Sequence, residues 1–115
     1  MYERDGSFEA EAINAAIAGV GNSVFEALHS FEEMAFSLAI AAVGAGARLT
    51  YDPDPEDGAL YTALKSDKLT EQERSEQRSE RGIVAFGDLN IGLQQVDSVT
   101  RPKLQSAKVE LVAAG

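Results

Sequence analysis

At 115 residues the chain has room for one domain with a modest core. Its net charge of −9 argues against nucleic acid, whose phosphates it would repel, and the absence of cysteine removes disulfides and thiolate metal sites. The hydrophobic fraction, 44%, is that of an ordinary globular chain.

Residues 1–7 are polar, include Gly6, and read as an N-terminal arm. The opening Met1-Tyr2-Glu3-Arg4-Asp5 has no basic segment leading into an apolar one, so no signal peptide is expected. A cytoplasmic or virion-associated location follows as the expectation.

From residue 8 onward one apolar stripe dominates. Ile13, Ile17, Val20, Val24, Leu28, Phe31, Ala35, Leu38 and Ala42 recur at steps of three and four. That rhythm predicts an amphipathic α-helix over about 8–45, with Ser7 as its cap. Unbroken, it would run about 55 Å, far beyond the ~13 Å radius of gyration of a chain this size. Gly19, Gly21 and the capping pair Asn22-Ser23 mark 19–22 as the place for a break. The stripe keeps phase across the glycines, which favours a kinked or closely packed continuous helix over two separate ones. On that reading alanine at Gly19 or Gly21 would keep the helix and block assembly.

The C-terminal part of this segment differs from the rest. Residues 34–47 carry no charge, and Met34, Phe36, Leu38, Ile40 and Val43 point in every direction around a helix. A helix apolar all round must be covered all round, and the remaining chain offers only a few short strands to do it. Neighbouring subunits would supply the cover, so Val24, Leu28, Phe31, Met34, Phe36, Leu38, Ile40 and Val43 are the candidate assembly interface. Fourteen uncharged residues are too few to span a bilayer. Insertion of 34–47 into a membrane surface is the lesser alternative, beside a small dimeric binding or adaptor protein.

Gly44 and Gly46 should end the helix. Residues 48–51 read as a short strand. Asp52 to Gly58, with Pro53 and Pro55, reads as a stiff acidic turn, and 59–64 as a helical turn burying Leu60, Tyr61 and Leu64. Thr70 and Glu73 have the spacing of a capping box. The stretch it opens, 71–81, has no apolar residue, so it is an exposed helix or loop. Replacing Glu73 to Glu80 with a short Gly-Ser linker should cost no more than about 1 kcal/mol, as for other surface changes. Residues 52–82 thus form a polar insertion in a single domain spanning 1–115.

Three β-runs close the chain: 83–86, then 89–96 after a turn or bulge at Gly87-Asp88, then 104–112 after a turn at 98–102. Leu89, Ile91 and Leu93 alternate with polar or small residues, as do Ala107, Val109 and Leu111. The expected fold is α+β: the long helix packed on a small antiparallel sheet of about 48–51, 83–86, 89–96 and 104–112.

No pattern of residues specifies a reaction. Asp52, Asp54, Glu56 and Asp57 suit calcium by residue type, but Gly58 falls one position late for an EF-hand loop and Ala63 stands where its glutamate would be. His29, the only histidine, has no cysteine or second histidine to share a zinc ion, and no nucleophile motif accompanies it. The expectation is a self-assembling structural subunit of a filament, tube, shell or virion. It would have no catalytic activity, no metal or cofactor, and its own copies as partners.

Overall fold

The structure is a computed structural model and describes residues 1–112; the C-terminal part of the predicted domain, 113–115, lies outside them. It is an α+β fold of three helices and two antiparallel sheets. The chain opens with a three-stranded meander, β1 (Tyr2–Arg4), β2 (Ser7–Glu11) and β3 (Ala18–Gly21). Asp5 and Gly6 form the first turn, both at positive φ (51° and 78°), between the paired residues Arg4 and Ser7. An Asp-Gly pair at positive φ matches the right-handed twist of the strands it joins.

The predicted helix is therefore corrected over its first half. Helix α1 runs Val24–Ala45, and 8–21 is mostly strand. Ser7-Phe8-Glu9-Ala10-Glu11 alternates polar and apolar, and this period of two prevails over the period of 3.6 seen in Ile13, Ile17 and Val20. The helix starts at the site marked for a break. Ser23 is its cap and accepts from the Glu26 N–H (3.1 Å), while the Glu26 carboxylate accepts from the Asn22 N–H (2.8 Å). Gly46 ends it in the left-handed conformation, as expected, with φ 63°.

Helix α1 lies almost directly on β3. A Cβ on Gly19 would stand 2.7 Å from Phe31 Cα and 2.8 Å from the Ala27 carbonyl oxygen; one on Gly21 would stand 2.6 Å from Ala27 N. The glycines are thus not part of a helix that crosses another subunit, as the sequence suggested; the close approach is within the chain, strand against helix. Ala15, Ile17 and Ala35 form the first core cluster, and Phe31, Leu38, Leu49, Leu89 and Ile91 pack around it.

The polar middle of the chain holds two helices. Pro55 starts α2 (Pro55–Lys65), and Asp54 caps it by accepting from the Glu56 N–H at 3.0 Å. The acidic stretch is therefore a cap and first turn, where carboxylates meet the positive end of the helix dipole. Residues 48–51 form no strand. Tyr51 N–H donates to the Asn14 carbonyl (2.8 Å), and Leu49 joins the core without strand pairing. Helix α3 (Glu71–Arg81) carries the full capping box between Thr70 and Glu73.

Helix α3 is not the undocked surface element its composition suggests. The Arg74 guanidinium donates to the carbonyls of Leu64 and Val112 (3.2 Å each) and pairs with Asp67 at 2.7 Å. Its side chain is only 17% exposed. Arg74→Met keeps the aliphatic stem but strands two carbonyls, and we expect it to destabilise the protein by about 2 kcal/mol, in the range for hydrogen bonds to a charged group. A urea melt would check this; a midpoint equal to wild type would return α3 to a free-standing helix.

The last sheet is one long ribbon, β4 (Ala85–Val96) and β5 (Val99–Leu111). Strand β4 passes through Gly87 and Asp88 without a turn, and the register shifts instead between Asn90 and Ile91. The hairpin turn is Asp97-Ser98, at φ 51° and 66°, which leaves Pro102 inside β5 paired with Leu93. At its base the ribbon joins the meander. Tyr2 bridges Ile83, Val84 N–H donates to the Met1 carbonyl (2.9 Å), and the Met1 amino group donates to the Ala85 carbonyl (2.8 Å). Burial pulls the pKa of that amino group down. A second core cluster of Leu64, Ile83 and Val112, with Tyr2, Leu60, Leu69 and Phe86 around it, sits under this joint.

Candidate assembly surface

Helix α1 turns one face to the sheet and leaves the other uncovered. Its buried positions are Ala27, Ala35 and Ala39, all alanine, which lets the helix approach the glycines of β3. Phe31 and Leu38 flank this face and pack against the first core cluster. Those two predicted interface residues are thus at least partly used within the chain. Val24 and Leu28 are half-buried.

The opposite face carries Phe36, Ile40 and Val43; Met34 lies about 120° round the helix from Ile40, close to the direction of Ala27. At 100° per residue, Phe36, Ile40 and Val43 fall within about 60° of one another; Ile40 stands farthest from the buried alanines, and Val43 borders the side of Ala39. Ile40 is 60% exposed and Met34 46%, while Phe36 and Val43 are half-buried. Toward the N-terminus the same face holds His29, Glu32 and Glu33, with His29 Nε2 at 3.1 Å from the Glu33 carboxylate in solvent. The outward face is therefore polar in its first turns and apolar in its last.

Phe25, 79% exposed, was not among the expected interface residues. It stands next to Val24, and a stripe drawn through Val24 leaves its neighbour unexamined. Val20 is exposed on the sheet face away from α1, opposite Glu9 in the pairing. Leu93, Val96 and Val99 are exposed toward the tip of the ribbon. The alternation of Leu89, Ile91 and Leu93 correctly marks one strand face, but only the first two pack against the first core cluster.

Polar groups gather at the other end. An open depression between β1 and α3 is lined by Tyr2, Arg4, Arg78 and Arg81, interleaved with Glu3, Asp5 and Glu80. The Arg4 guanidinium lies 5.7 Å from the centre of the Tyr2 ring. Burial, followed by the nearby Asp57 and Glu11 carboxylates, pushes the Tyr2 hydroxyl pKa up. On the other side, Asp88 accepts from the Tyr61 hydroxyl and pairs with Lys65 at 3.2 Å, tying α2 to β4. Among the described residues no helix is long and apolar enough to cross a membrane.

No family model, curated protein or solved structure matches this chain.

Proposed function

We propose that this chain is a self-assembling structural subunit without catalytic activity, and that the outward face of α1 at Phe36, Ile40 and Val43 meets other copies. One observation carries the reading. Among the described residues six of the eleven buried apolar side chains are alanine, and the only large side chain fully buried is Val112, whereas ten large hydrophobics are exposed. Single exposed apolar residues are ordinary; the informative case is a joined apolar face, here exposed Ile40 beside half-buried Phe36 and Val43 on α1. Covering such side chains is worth about 1.5–3 kcal/mol each when complete, and a second subunit is the simplest cover.

Light scattering after size exclusion, with negative-stain microscopy, tests the proposal. Regular particles or filaments are the expected result. A monodisperse monomer at every concentration up to millimolar would overturn it. Co-flotation of such a monomer with liposomes would assign the helix face to a lipid surface instead.

A further inference from the structure

The ribbon has two edges, and the chain treats them differently. Edge strands expose unpaired N–H and C=O groups, and natural proteins blunt them with lysine, proline, charge or irregularity. Strand β5 carries Arg101, Pro102, Lys103 and Lys108, and it holds the extra residue at the register shift. Strand β4 carries one charge, Asp88, and no proline or lysine. At its base this edge is already occupied, because Met1 pairs with Val84 and Ala85. Beyond Ala85, among the described residues, no backbone group of 86–96 bonds outside β5.

We propose that the open edge of β4 pairs antiparallel with β4 of a second copy, about a two-fold axis at Ile91. This rests on the self-assembly reading above and names a second contact for it. Charge selects the occupant. The ribbon from Ala85 to Leu111 holds three acids (Asp88, Asp97, Glu110) and three bases (Arg101, Lys103, Lys108), so the whole −9 resides in the rest of the chain. Two copies repel least where they meet ribbon to ribbon.

Side chains select the register. The open stretch 86–96 has its midpoint at Ile91. Centring there sets Ile91 against its own copy and Leu93 against Leu89 of the second copy. The exposed Leu93 (62%) then gains an apolar cross-strand neighbour, and each Asp88 faces an uncharged Gln94. An isolated two-stranded ribbon is marginally stable in water, and pairing turns two such ribbons into a four-stranded sheet, β5–β4–β4–β5. An isologous contact of this kind closes on itself, and the helix face remains available to extend the assembly.

Single-cysteine variants test this directly, because the native chain has no cysteine. Ile91→Cys places two thiols on the axis, where directly opposed Cα atoms stand about 4.5–5.5 Å apart, within disulfide reach. Leu104→Cys, paired with Ile91 one strand over, is the control of similar depth. Under copper–phenanthroline oxidation Ile91→Cys should give several-fold more covalent dimer than Leu104→Cys. Independently, Leu93→Lys, at a site too exposed to disturb the monomer, should weaken the dimer in sedimentation velocity. Equal disulfide yields from the two cysteine variants, or an unchanged dimer in Leu93→Lys, would overturn the pairing. Assembly that is lost in Ile40→Asp but shows no preference for Ile91→Cys keeps the helix-face reading and removes this one. Preferential cross-linking at Ile91→Cys with normal assembly of Ile40→Asp does the reverse.

Discussion

Gly19→Ala is expected to destabilise the fold by about 3 kcal/mol, the upper end of the overpacking range. Two effects compete. Alanine restricts the unfolded chain more than glycine does, which alone would stabilise the protein by about 0.4–1 kcal/mol at a site with compatible backbone. Against this, the new methyl would sit 2.7 Å from Phe31 Cα and 2.8 Å from the Ala27 carbonyl oxygen. These are backbone atoms in the middle of a 22-residue helix, so no side chain can rotate away. Helix α1 would have to lift from β3, opening the contacts of Ala27 and Ala35. The clash therefore wins. Against a total stability of about 5–15 kcal/mol, a 3 kcal/mol loss is readily measured in a denaturant melt. A midpoint at or above wild type would show that α1 and β3 are not in close contact. Val20→Ala is the control, since Val20 points away from α1 and is exposed.

Ile40→Asp should abolish or strongly weaken assembly while leaving the monomer folded. In the isolated chain Ile40 is already 60% exposed, so aspartate there buries no charge. Its cost to the monomer is a helix-propensity difference of a few tenths of a kcal/mol. In an assembled interface the same substitution would lose the apolar contact and bury a carboxylate without a partner, at an effective penalty of several kcal/mol. A net loss of about 2.8 kcal/mol already means about a 100-fold weaker association. Sedimentation velocity reads the association, and circular dichroism reads the fold. Assembly at wild-type concentration with Ile40→Asp would remove the α1 face from the interface.

Several elements could be read from local signals alone. The capping box at Thr70 and Glu73 sets the start of α3, and Gly46 and Gly82 end α1 and α3 in the left-handed conformation that glycine tolerates. The alternation at Leu89, Ile91 and Leu93 marks a strand face. Signals at the N-terminus were present but outweighed. Asp5-Gly6 is a hairpin turn, and Ser7 to Glu11 alternates, yet both lie beside a helical stripe that extends by coincidence of phase through Ile13, Ile17 and Val20. Periodicity over a few residues cannot separate the two forms when alanine and glycine fill the positions between, because those residues fit either.

The candidate surface divides the same way. That 34–47 has more apolar faces than one sheet can cover is a property of the sequence, since it needs only the helical period and the list of residues. Which of those faces the chain covers for itself was decided by tertiary structure. Phe31 and Leu38 pack inward and Ile40 outward because Gly19 and Gly21 admit the alanine face of α1 against β3, and that fixes the helix's rotation. Arg74 is the polar counterpart. Its sequence neighbourhood is polar throughout, and only the approach of Leu64 and Asp67 from the preceding segment and of Val112 from the far end of the described chain makes it a largely covered clamp. Local propensity, capping and turn chemistry act over a few residues and are written in order along the chain. The burial of a particular side chain depends on neighbours that the chain brings together only by folding.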